Sequence, residues 1–181
     1  MENNRTAGLL QKVTLLLFIV FLPVLNARGQ DYKKYYKSQT KENNTLYFFP
    51  ANTVFKSKDK KQTLVYDITF RTDWDSVIVN FSYLSKKAGA VDHLTISGNG
   101  TEIKEYTRKL FIEKEKKYWH NRYSISLSKD LFFSLFTSKT PLTINVCMKS
   151  DCDIMQTSDR DWKFHASIIE HVHQLILLNA N

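Results

Sequence analysis

Five histidines, three close pairs of aspartates, two cysteines and three tryptophans are the side chains of this 181-residue chain whose types and spacing could do chemistry. His171 and His173 fall two apart on a helical segment, about 200° around its axis, so no common face lets them share a metal. His165 and His173 lie about 80° apart around the same axis but about 12 Å along it. Neither pair has the spacing of a helical zinc site, and both His165 and His173 read as border residues of an apolar arc, hydrogen-bonded to backbone. Asp73/Asp75, Asp151/Asp153 and Asp159/Asp161 could offer oxygens to calcium, yet a loop site needs about six and no EF-hand pattern surrounds them. Turn formation and helix capping account for all three pairs. No metal or other cofactor is expected.

Cys147 and Cys152 are separated by four residues, the spacing of a disulfide across a tight turn. So small a ring contributes about 2 kcal/mol in the chain-entropy model. Tied together, the two sulfurs leave no thiol nucleophile. The chain also has no nucleophile elbow, no P-loop and no dinucleotide-binding glycine motif. The expectation is a protein that is not an enzyme. Trp162 reads as core, whereas Trp74 in the TDWDS turn and Trp119 beside a charged run could stack on sugar rings. The cluster Lys56, Lys58, Lys60 and Lys61 could meet an anionic partner. With His165 and His173 on the terminal helix, these six residues make up the candidate partner or ligand surface.

The elements that must position them are mostly strands. From Thr63 to Leu84, Leu64, Tyr66, Ile68 and Phe70 alternate with polar neighbours. After the Asp73-Trp74-Asp75 break, Val77, Val79, Phe81 and Tyr83 do the same. Period two over both halves predicts a pair of half-buried strands. Shorter strands are expected at 45–49 and 53–56, on either side of Pro50-Ala51-Asn52, and at 91–97, with Gly98-Asn99-Gly100 turning into a return through Ile103. Further crossings are read at 109–113, 118–127 and from Leu142 to Met148.

Ser128 caps a short buried helix at about 129–137. A long helix is expected at about 159–178, with Asp159 and Asp161 complementing its positive end. Its apolar residues cover an arc of about 220°, wider than one flat contact requires, so a groove or a second surface should meet it. The architecture predicted is mainly β, an antiparallel sandwich of about eight strands with these two helices, an up-and-down barrel being the alternative.

The first 29 residues read as an export signal: Arg5 and Lys12, an apolar run from Val13 to Leu25, and small residues before a cut after Gly29. The run is about 13 residues, short of the roughly 20 that cross a bilayer, so no transmembrane segment is expected in the mature chain. Residues 30–44 read as a flexible polar lead-in and 45–181 as a single domain. Removing residues 1–29 takes away Arg5, Lys12, Arg28 and Glu2 and leaves 23 basic against 17 acidic side chains, a charge of +6.

Export, to a periplasm or to the outside, argues against nucleic acid as partner. Asn43, Asn80 and Asn99 each open an N-x-Ser/Thr sequon, which counts only in a host that glycosylates there. The functional expectation is a non-catalytic exported binding or assembly component, working through its sheet edges or terminal helix. A carrier of a small apolar ligand, motivated by 12 Phe and 9 Tyr, is the second expectation. Recognition of acidic glycans by the lysine-rich loops and exposed tryptophans is the third.

Overall fold

The computed structural model describes residues 31–50 and 53–179. The expected export signal at 1–29, its cut, and two residues of the Pro50-Ala51-Asn52 turn lie outside the described residues. The chain folds as a mainly β protein with a short helix and a long C-terminal helix, all of its strand pairs antiparallel. The strands are β1 (Lys37–Lys41), β2 (Asn44–Phe49), β3 (Val54–Ser57), β4 (Thr63–Arg71), β5 (Ser76–Ser85), β6 (His93–Gly98), β7 (Thr101–Tyr106), β8 (Arg108–Glu115), β9 (Tyr118–Ser128), β10 (Thr143–Met148) and β11 (Asp151–Gln156). The helices are α1 (Lys129–Phe136) and α2 (Asp159–Asn179).

The strands form one curled sheet in the order β7-β6-β10-β11-β3-β4-β5-β9-β8, with β2 joining β4 and β1 pairing with β2. Between the sandwich and the closed barrel that the strand pattern allowed, the chain takes a single continuous sheet whose edges, β7 and β8, follow each other in sequence. β2 and β3 share one side of β4: Phe49 is opposite Ile68, and Val54 is opposite Val65. Pro50 falls between them, where its missing N–H ends one ladder before the next begins.

The period-two reading of β4 and β5 holds in full. Leu64, Tyr66, Ile68, Phe70, Val77, Val79, Phe81 and Tyr83 are all buried, and Phe81 stacks on Tyr123 of β9. Burying a side chain of this size stabilises the fold by roughly 1.5–3 kcal/mol, so this triplet of strands is the base of the core. On its opposite face Asp67 is also buried. Its carboxylate accepts from Asn80 Nδ2 at 2.9 Å and pairs with Arg122, which reaches Ser82 Oγ at 2.8 Å. That polar ladder ties β4, β5 and β9 together from outside, and it occupies the amide of the Asn80 sequon.

The hairpin between β6 and β7 turns at Asn99 and Gly100, with φ of 52° and 74°. Positive φ at both central residues is the geometry that matches strand twist.

α1 starts where Ser128 Oγ accepts from the Leu131 N–H at 3.4 Å, and α2 where Ser158 Oγ accepts from the Asp161 N–H at 3.1 Å. The helices fill the concave side of the sheet. The ring of Trp162 lies 6.3 Å from that of Phe55 on β3 and 6.4 Å from that of Phe136 on α1, and its indole N–H donates to the Ser138 carbonyl at 2.8 Å. The wide apolar arc of α2 is therefore spent on three neighbours: the sheet, α1, and the N-terminal segment.

That segment differs from the flexible lead-in expected at 30–44. Tyr32–Tyr35 forms a 3-10 turn, and β1 follows it. Tyr32 stacks on His171 at 4.7 Å, Tyr35 meets Phe164 edge-on at 4.9 Å, and Tyr36 is buried. Tyr32 and Tyr35 anchor on the helix and Tyr36 on Tyr47 and Phe49 of β2, while the lysines stay in water.

Cys147 and Cys152 are bonded, facing each other across the β10–β11 hairpin. Replacing both by serine is expected to lower stability by about 2 kcal/mol, because the ring they close is small. Urea unfolding of that variant measures it, and a loss above about 4 kcal/mol would mean the bridge holds more than its own hairpin.

Candidate binding surfaces

The lysine-bearing turns gather at one end of the sheet. Lys58, Lys60 and Lys61 form the β3–β4 turn, which closes through the Lys60 N–H on the Ser57 carbonyl at 2.8 Å and the Gln62 N–H on Ser57 Oγ at 3.1 Å. Asp59 is held down at about 2, first by the Ser57 hydroxyl and then by the Lys61 N–H, and it pairs with Lys61 at 3.0 Å. Thr63 is opposite Leu84 and Ser85 is opposite Trp119, so the end of β5 and the β8–β9 turn lie at this same end.

Lys86 leaves β5 there, and Lys114, Lys116 and Lys117 surround the second turn. Five successive strands, β3-β4-β5-β9-β8, span roughly 20 Å at the usual inter-strand spacing. Along that rim stand seven exposed lysines, Lys58, Lys60, Lys61, Lys86, Lys114, Lys116 and Lys117, against Asp59, Glu113 and Glu115. Trp119, partly exposed, sits among them. Lys56 is on β3 opposite Thr63, exposed and just inside the rim.

Beside the rim, the start of β11 is pinned across the concave side. The Tyr83 hydroxyl donates to Asp153, and the Lys87 ammonium reaches Asp151 at 2.6 Å and Asp153 at 3.1 Å. Burial first, and the bond to Asp153 next, push the Tyr83 phenol up. The hydrogen bond to Asp151 does most to raise Lys87. Lys87 thus serves this pin, leaving Lys86 to face outward.

Trp74 is elsewhere, in the β4–β5 turn at the far end of β4, about 30 Å from Thr63 at the rise of a nine-residue strand. Arg71 lies over its ring at 5.8 Å and pairs with Asp73, which holds the guanidinium up and the carboxyl down. Trp74 and Trp119 therefore cannot grip one short ligand together.

Trp74 instead lines a groove of about 540 Å³ with Ser76, Ile78, Ser124 and Ser126 and with Glu105, Tyr106 and Arg108.

His165 is not a surface residue. It is 3% exposed, and its Nε2 lies 2.9 Å from the Tyr66 hydroxyl, a side-chain partner where a backbone one was expected. Burial pushes its pKa down to about 4. His173 is partly buried, stacked on Phe133 at 4.0 Å, and is a helix-to-helix contact. Neither belongs to a partner surface: the part of the wide apolar arc of α2 that the sheet leaves over is covered by α1 and the 3-10 turn.

The residues that sequence reasoning passed over are Lys86 and Lys114–Lys117 on the rim, and Glu105, Tyr106 and Arg108 in the groove. Tyr106 carried one usable signal: at the end of TEIKEY it stands on the polar side of the alternation, and it is 74% exposed. Among the described residues, no group of three His, Cys, Asp or Glu side chains is placed to hold a metal ion, and no helix is long and apolar enough to cross a membrane. Compared with protein families, with characterised proteins and with solved structures, the chain has no significant match.

Proposed function

We propose that this chain is an exported, non-catalytic binding protein that takes hold of an acidic polysaccharide through the lysine-lined end of its sheet. The carrying observation is the convergence of Lys58, Lys60, Lys61, Lys86, Lys114, Lys116 and Lys117 from three turns onto one rim beside Trp119. Spaced ammonium groups on short turns suit the repeating carboxylates or sulfates of such a polymer, and an indole among them offers a face for a sugar ring. The disulfide and the apolar run before Gly29 support export. The non-catalytic reading is supported by His165, whose imidazole is sealed in the core against Tyr66. The aromatic surplus that motivated a ligand carrier is engaged in packing α1 and α2 onto the sheet.

The test uses two probes, an oligogalacturonate and a heparin-derived hexasaccharide, titrated calorimetrically at low ionic strength and at about 1 M salt, where the screening length is about 3 Å. Binding at low salt that disappears at high salt is expected. The triple substitution Lys60→Gln, Lys116→Gln and Lys117→Gln should weaken it at least about tenfold without altering stability by more than about 0.5 kcal/mol. Failure of both probes to bind at low salt, or binding indifferent to salt, contradicts the proposal.

A further inference from the structure

The seam of the curled sheet carries a second feature, independent of the lysine rim. β8 pairs with β9 only as far as Arg108 opposite Ser124, while β5 pairs with β9 on to Ser76 opposite Ser128. From Ile125 onward, β9 has no partner strand on the β8 side among the described residues. The groove of about 540 Å³ opens there, within the size range of small-ligand clefts, roughly 300–1,000 Å³.

Its floor follows from register. Ile78 is opposite Ser126 and Asn80 opposite Ser124, so Ser76, Ile78, Ser124 and Ser126 all project from the outer face of β5 and β9. Its lining adds two aromatics, Trp74 from the β4–β5 turn and Tyr106 from the end of β7, and one charge of each sign, Arg108 and Glu105. Tyr106 keeps most of its surface in water, although tyrosine is a residue whose ring gains by burial. Trp74 has the Arg71 guanidinium over its ring.

We propose that this groove binds a neutral oligosaccharide, with pyranose rings against Trp74 and Tyr106 and their hydroxyls hydrogen-bonded to the floor serines and to Glu105 and Arg108. Three features select that ligand. Aromatic faces pack against the C–H faces of a pyranose. Serine hydroxyls both donate and accept, as sugar hydroxyls do. Opposite charges in the lining cancel, so no net charge is asked of the ligand. An extended peptide would instead add edge-on to the free backbone of β9, whereas the groove is floored by side chains on the sheet's outer face.

The experiment titrates the full chain with maltohexaose, cellohexaose and chitohexaose, following tryptophan fluorescence and heat. At least one should bind, with an affinity unchanged at about 1 M salt. Tyr106→Ala, at an exposed position, should weaken it at least about tenfold while leaving the thermal transition in place; Ser126→Trp, which fills the floor, should do the same. The Lys60/Lys116/Lys117 variant should bind these sugars as the original does, which separates this site from the rim. Absence of binding by all three sugars overturns the proposal. So does sugar binding that survives both groove variants, or a groove that takes extended peptides and no sugar.

Discussion

Trp162→Ala is expected to destabilise the protein by about 3–5 kcal/mol, the range for emptying a fully buried aromatic site. Trp162 is wholly buried between Phe55 of β3 and Phe136 of α1, and its N–H satisfies the Ser138 carbonyl just past α1. Alanine there opens a cavity at the junction of sheet and both helices and leaves a carbonyl without its donor. Trp162→Phe separates the two effects: it retains most of the apolar volume and loses the hydrogen bond, and should cost about 1–3 kcal/mol. Urea unfolding midpoints measure both. A loss below about 1 kcal/mol for Trp162→Ala would show that α2 is not seated on the sheet as described.

Acid should unfold the protein through His165. In the unfolded chain this imidazole titrates near 6.5, and in the folded protein near 4. Between those values the unfolded state binds the extra proton, so stability is fully present above pH 6.5 and falls as pH drops toward 4. The loss over that window is about 3 kcal/mol for a group so completely buried. Asp59 and Asp73, whose carboxyls are held below their usual range, lose their contributions at lower pH still, beneath this window. Thermal melts from pH 7 to pH 4 should show the decline in the original protein. His165→Leu should be less stable at pH 7, because the Tyr66 hydroxyl loses its partner, yet nearly flat across the window. An equally steep decline in His165→Leu would place the acid sensitivity elsewhere.

The base of the fold was readable because Leu64 to Phe70 and Val77 to Tyr83 alternate without a break, and no helix can satisfy that period. Two strands were invisible for the converse reason. All five residues of β1, KSQTK, are exposed, and β11 buries only Met155, so neither carries alternation enough to mark it. Both exist because a neighbouring strand offers its edge. The start of α1 was legible from Ser128, whose capping is a local matter, and that of α2 from Asp159 and Asp161 in its first turn.

The surfaces were less accessible. Lys58 and Lys117 come together only through the registers of β4 with β5 and β5 with β9, which no local pattern specifies. Tyr106 meets the neighbourhood of Trp74 because it lies two residues before Arg108, which pairs with Ser124 of β9, and because β9 pairs with the start of β5 that follows Trp74. Trp74, between two aspartates, and Trp119, just after a lysine-rich run, end at opposite ends of the sheet because one precedes β5 and the other begins β9, its antiparallel neighbour.

The role given to the lysine rim is tested most directly by mapping amide chemical shifts while oligogalacturonate is added at low ionic strength. The account predicts that the perturbed amides cluster in the β3–β4 turn, at Lys86, and in the β8–β9 turn with Trp119, and that they return to their original positions on addition of about 1 M salt. Perturbation centred on the outer surface of α2 or on the Arg71–Asp75 turn, with the rim unmoved, would contradict it.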